Sequence, residues 1–107
     1  MSYSYLLSPL ALLDLSDIWD YSSGNWGADQ ADAYATAIHA ACEALAQTTA
    51  KGRPGGQSAE HISLGYRKQL AGSHVIFFRC TIHDRVEVMR ILNQRMDVSA
   101  HLYNASE

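Results

Sequence analysis

The sequence predicts an α+β fold in which an N-terminal strand and a two-helix hairpin pack on a mainly antiparallel sheet, completed by a three-stranded C-terminal meander. Three observations predict it. Residues 61–97 divide into three β-rich runs separated by short polar punctuation. Two earlier stretches carry apolar residues at helical spacing, and a Gly/Pro-rich connection lies between helices and runs. The chain has 107 residues, enough for one core that buries roughly two-thirds of the surface its unfolded form exposes, so residues 1–107 are expected to form one domain.

The elements follow in order. Tyr3 to Leu7 is a short aromatic and aliphatic run that reads as a strand added to the meander's sheet. Ser8-Pro9 then starts a helix, serine as the N-cap and proline at the first helical position, where no N–H is needed. Ala11, Leu12, Leu15, Ile18 and Trp19 form its apolar side, opposite Asp14, Asp17 and Asp20. The polar run Ser22-Ser23-Gly24-Asn25 should break it. A second helix is expected from about Ala28 to Ala46, with Ala31, Tyr34, Ala35, Ile38, Ala41, Cys42 and Leu45 as the buried stripe. Its alanines favour close approach, so the two helices should form a hairpin lying on the sheet. Trp19, Tyr21 and Trp26 are expected to pack within it. Lys51 to Glu60 reads as a loop.

The meander's strands are expected at Ile62–Leu70, Val75–Ile82 and Val86–Leu92. Gly72-Ser73 suits the first turn and His83-Asp84-Arg85 the second. The nearly continuous Val75-Ile76-Phe77-Phe78 predicts a strand buried on both faces. Alternation sorts each run into two faces. It sets Arg67 with Ser63, Gly65 and Gln69, Arg79 with Val75, Phe77 and Thr81, and Arg90 with Val86, Val88 and Leu92. This suggests an open sheet face carrying Arg67, Arg79 and Arg90 among apolar neighbours. The alternative, ordinary solvated arginines, stays open.

Charge is divided unevenly along the chain. Residues 1–50 hold six acids and no Lys or Arg; residues 51–107 hold all eight bases and five acids, so the halves carry −6 and +3. An acidic helical side and a basic sheet side are implied, the latter suited to an acidic partner or a phosphate backbone. Cys42 and Cys80 have no CxxC spacing and read as free thiols in a reducing compartment. No leader segment or membrane-length apolar run is seen, which predicts a cytoplasmic protein.

Little points to catalysis or to a cofactor. The five histidines are scattered without metal-ligand spacing, no GxSxG elbow occurs, and Gly52, Gly55 and Gly56 lack the lysine and strand of a phosphate loop. No metal or cofactor is expected. One enzymatic reading survives: a metal-free ribonuclease using Arg67, Lys68, Arg79 and Arg90, with His101 or Tyr103 from the tail.

The chain resembles the ParE toxins of the RelE/ParE toxin-antitoxin superfamily. The matching stretches are Leu7-Ser8-Pro9, Asp14-Leu15, Asp17-Ile18-Trp19-Asp20-Tyr21, Trp26-Gly27, Gln30-Ala31 and Tyr34. They continue with Gly65-Tyr66-Arg67-Lys68, Gly72 through Arg79, Arg90-Ile91-Leu92, Arg95-Met96-Asp97 and His101-Leu102. The resemblance implies a RelE/ParE-like fold and a growth-arresting toxin of a type II module of the plasmid-stabilisation kind. Such a toxin is neutralised by a ParD-like antitoxin and acts as a DNA gyrase inhibitor rather than as an enzyme. RelE-like relatives instead cleave messenger RNA on the ribosome, and a chain that only binds its antitoxin is a third reading. The surface expected to receive the antitoxin is Tyr66, Arg67, Phe77, Arg79, Val88, Arg90 and Leu92. Arg90, Asn93, Arg95 and His101 are candidates for target binding or activity, with Asn93 standing where such chains usually have histidine. Direct nucleic-acid binding is left open.

Overall fold

The structure, a computed structural model, describes residues 5–53, 55–62, 64–81 and 85–95. Its elements are β1 (Leu6–Leu7), α1 (Pro9–Trp26), α2 (Ala28–Ala50), β2 (Gln57–Ser58), β3 (Arg67–Ala71), β4 (His74–Cys80) and β5 (Val86–Asn93). They form a helix hairpin on one five-stranded sheet of order β1-β5-β4-β3-β2. β1 runs parallel to β5, with Leu6 beside Glu87 and Leu7 beside Val88; every other pairing is antiparallel. The α+β arrangement anticipated from the sequence is the one observed.

Local chemistry explains the joints. Ser8 Oγ accepts the Ala11 N–H at 3.0 Å and donates to the Met89 carbonyl at 2.6 Å, so one hydroxyl caps α1 and ties it to β5. The polar run at residues 22–25 does not stop the helix. Ser23 Oγ and Asn25 Nδ2 donate back to the carbonyls of Asp20 and Tyr21, satisfying themselves within the helix. The break falls instead at Gly27, whose φ of 90° lets one residue close α1 and open α2. α2 continues to Ala50, past the expected end at Ala46, with Thr48 bonded back to Leu45.

In the sheet, β2 comes from the stretch read as loop, and β3 begins at Arg67 rather than Ile62 because the described residues from Glu60 to Gly65 turn. Of the expected first strand, Tyr3 lies outside the described residues, as does Ile82 at the expected end of β4. Gly72-Ser73 makes the β3–β4 turn between the paired Ala71 and His74. At Gly72 φ is 61°, and a Cβ there would meet Tyr34 Oη at 2.6 Å, so backbone and neighbour both require glycine.

Two apolar clusters lie on opposite sides of β4. Ile76 and Phe78, with Val86, Val88 and Ile91, pack under Ala11, Ile18, Ile38, Cys42 and Leu45 of the helices. Phe77, Met89 and Leu92 join Tyr66 and Ala59 on the other side. The expectation of a strand buried on both faces holds for residues 76–78. Burial drives the Cys42 thiol up to about 12.

The face assignment for the arginines does not hold, because the register sets Arg67 and Val88 opposite Phe78 rather than Arg79, so the faces of Arg67 and Arg90 look to the helices and that of Arg79 looks away. A second departure lies within β5. A β-bulge places Phe77 opposite Arg90 and Phe78 opposite Val88, so Met89 is an extra residue in β5. Alternation therefore slips: Val88 and Ile91 share the helix side while Met89 and Leu92 share the other. Strict period-two sorting fails at that step.

Candidate functional site

The three arginines of the expected open face have three different environments. Arg67 pairs across the ladder with Phe78, placing it on the helix side, where Nε and Nη2 donate to the Gly55 and Gly56 carbonyls at 2.8 and 3.2 Å. Arg90 reaches α1. Its Nε and Nη2 each donate at 2.8 Å to the two oxygens of Asp14, which also accepts the Ile91 N–H at 2.9 Å. Both side chains of this pair are nearly buried, 12% and 11% exposed. The hydrogen bonds it donates to Asp14 hold the Arg90 guanidinium's pKa above its ordinary value. Only Arg79 stays on the side away from the helices, paired across strands with Glu87 at 2.8 Å and 45% exposed.

The remaining expected contact residues divide in the same way. Val88 is fully buried beneath the helices. Tyr66, Phe77 and Leu92 do share the side of Arg79, as one buried cluster. Asn93 ends β5 and accepts the Arg95 N–H at 3.0 Å, with Arg95 exposed. His101 lies outside the described residues.

Two clefts emerge, one on each side of the sheet. The first, about 610 Å³, lies where the α1–α2 junction meets the β3–β4 turn and the end of β5. Its walls include Asp14, Asp17, Tyr21, Trp26, Tyr34, His74 and Asn93. Tyr34 Oη accepts the Ser73 N–H at 3.1 Å and lies within hydrogen-bond distance of His74 Nδ1, at 2.7 Å. Burial lowers the His74 pKa, and the nearby Asp14 charge opposes that shift. The second cleft, about 600 Å³, lies on the far side among Gln57, Ile62, Lys68, Leu70, Val75 and Phe77. Lys68 is the charged residue among the described residues of that lining.

Sequence reasoning missed the first cleft's main features. Tyr21 and Trp26, expected to pack in the hairpin, are 66% and 64% exposed and meet edge to face with ring centroids 6.0 Å apart. Trp19 is partly buried and bonds Asp32. Asp14 was assigned to the solvated side, yet it follows Ala11 by three residues and precedes Ile18 by four, a spacing that puts it on the buried stripe. That spacing was the available signal. Among the described residues, no three His, Cys, Asp or Glu side chains converge on a metal position, and no helix is long and apolar enough to cross a membrane.

Comparison with known proteins bears on the whole arrangement. Residues 5–98 match the family described as the ParE toxin of the type II toxin-antitoxin system parDE. The chain is 42% identical over 102 residues to Toxin ParE1 of Mycobacterium tuberculosis, covering 95% of this chain and all of that protein. It is 43% identical over 98 residues to Toxin ParE1 of Caulobacter vibrioides, covering 92% and 96% of the two chains. A solved structure of the chromosomal ParDE system from P. aeruginosa superposes with a TM-score of 0.72 at 22% identity, covering 85% of this chain and 95% of that one.

Proposed function

This chain belongs to the ParE toxin family of type II toxin-antitoxin systems, and from that premise we propose that it arrests growth by binding and inhibiting DNA gyrase in the cytoplasm until a ParD-like antitoxin neutralises it. Residues 1–107 act as one domain in this reading. The observation that carries it is the family match across residues 5–98. The arginines add support for action by binding. A ribonuclease would gather Arg67, Arg79 and Arg90 on one phosphate, whereas here Arg67 holds loop carbonyls, Arg90 holds Asp14 and Arg79 lies across the sheet.

The same placement narrows the antitoxin surface. An acidic and apolar antitoxin tail suits the second cleft, where Lys68 and the exposed Leu70 lie along β3 and Arg79 stands on β4 of the same side. Tyr66, Phe77 and Leu92 support that surface from beneath. Arg67, Val88 and Arg90 contribute by holding the fold.

The test is pulse incorporation of labelled thymidine and amino acids after induction of this chain alone. DNA synthesis should stop first, with gyrase-linked DNA cleavage in extracts and recovery when a ParD-like antitoxin is co-expressed. Translation stopping first would overturn the gyrase assignment. In purified complexes, Lys68→Ala and Arg79→Ala should each weaken antitoxin binding by roughly tenfold, as expected for charges in a desolvated interface. Unchanged affinity in both variants would remove this face.

A further inference from the structure

The first cleft differs in chemistry from the surface assigned to the antitoxin. Among its described lining residues there is no Lys or Arg, while Asp14 and Asp17 both face it. Asp14 is committed to Arg90. Asp17 is exposed and has no partner among the described residues. One helical turn further along α1 stands Tyr21, and the exposed ring of Trp26 meets it edge to face at the cleft's mouth. Burial lowers the His74 pKa and so works against a positive charge at that wall of the cleft.

A free carboxylate beside two exposed aromatic rings is a receptor for a guanidinium. The carboxylate takes two parallel N–H bonds, while the ring faces attract the planar cation and cover its aliphatic stem. Lysine fits the charge but not the planar stacking. Ile18 and Ile91 deepen the cleft with apolar wall for neighbouring side chains. The surroundings reinforce the sign, because the first 50 residues hold six acids and no Lys or Arg.

We propose that this cleft docks an arginine-bearing, aliphatic segment of a protein partner, with Asp17, Tyr21 and Trp26 as the contacts that recognise the arginine. The toxin then has two docking faces of opposite charge preference, able to be occupied together. This inference does not depend on gyrase being the target.

The test uses the full chain carrying Trp19→Phe, so that Trp26 alone reports by fluorescence. The probes are three capped pentapeptides, Leu-Arg-Leu-Arg-Leu and its Lys-for-Arg and Glu-for-Arg counterparts, titrated at low and at physiological salt. The arginine peptide should shift Trp26 emission and bind at least tenfold more tightly than the glutamate peptide and severalfold more tightly than the lysine peptide. Asp17→Asn and Tyr21→Ala should each weaken it at least fivefold, read in the tyrosine variant by the same Trp26 signal. Arg79→Ala on the opposite face should leave it unchanged. Equal binding of the arginine and glutamate peptides, or wild-type affinity in Asp17→Asn, would overturn the proposal. Circular dichroism of each variant establishes that a loss of binding is not a loss of fold. The outcome is independent of the thymidine pulse, so either reading can fail without the other.

Discussion

The two clefts are nearly equal in volume and lie on opposite sides of one sheet, yet they are built differently. On the helix side, the cleft sits over a polar junction: Arg90 and Asp14 bond bidentately, almost closed to water, and Tyr34 bridges the exposed Ser73 to His74 beside them. On the far side, the corresponding polar contact is the Arg79–Glu87 pair, open to solvent and held by one short bond. Each side has one arginine paired with a carboxylate. What separates them is burial, which turns a surface charge into a structural fastener when its partner and hydrogen bonds are complete.

The largest effect should come from breaking the helix-side junction. Asp14→Ala leaves Arg90 nearly buried without its carboxylate, and should cost about 3 kcal/mol in urea unfolding, near the low end for broken buried pairs. A loss under about 1 kcal/mol would mean the pair is solvated and the contrast between the sides is false. Next, Gly72→Ala forces a side chain onto positive φ and against Tyr34, and should cost about 2 kcal/mol. Adding Tyr34→Phe should not restore stability, because the ring stays in place and only the hydroxyl leaves. Arg79→Ala, by contrast, should change stability by only about 0.5 kcal/mol, since an exposed cross-strand pair gains little over its hydrated ions. Equal losses for Arg79→Ala and Asp14→Ala would erase the distinction.

The finest test is titration of His74. Its folded value lies below the ordinary one, so the unfolded chain takes up the proton first as pH falls. Stability should be complete above about pH 6.5, the ordinary histidine value, and decline on acidification towards the folded value. Asp14→Asn removes the charge that opposes this shift, so the His74 ring should titrate lower still by NMR and melting temperature should drop more steeply between pH 7 and 5. A ring that titrates above its ordinary value would show that Asp14, not burial, controls it.

The order and type of the main elements were legible because each rests on local chemistry: Ser8-Pro9 before an apolar stripe, glycine at the β3–β4 turn, and alternation in β3 and β4. The helix end at Trp26 was not, because a serine and asparagine run looks like a loop unless its side chains fold back on the helix. The arginine face failed for a different reason. Which faces of neighbouring strands coincide is set by cross-strand register, here with Arg67 and Val88 opposite Phe78 rather than Arg79, and register is not written in one strand's own residues. Tyr21 and Trp26 were misread because helical spacing says which side of α1 they share, not where the second layer ends. The family resemblance supplied what periodicity could not, and it fixed the whole topology more firmly than any single surface.

The bond from Ser8 to Met89 and the pair between Asp14 and Arg90 join residues 81 and 76 positions apart, and β1 lies beside β5, the last strand among the described residues. On the ribosome, the helix hairpin can form early from contacts near in sequence, but its capping hydroxyl, its buried acid and its first strand all wait for β5 to emerge. A nascent chain stalled before residue 86 should therefore be readily cut by protease, and the same chain released at full length resistant. The surfaces that depend on β5 are thus absent while the helix hairpin and the earlier strands are being made, which gives a freshly made antitoxin time to be present when they first appear.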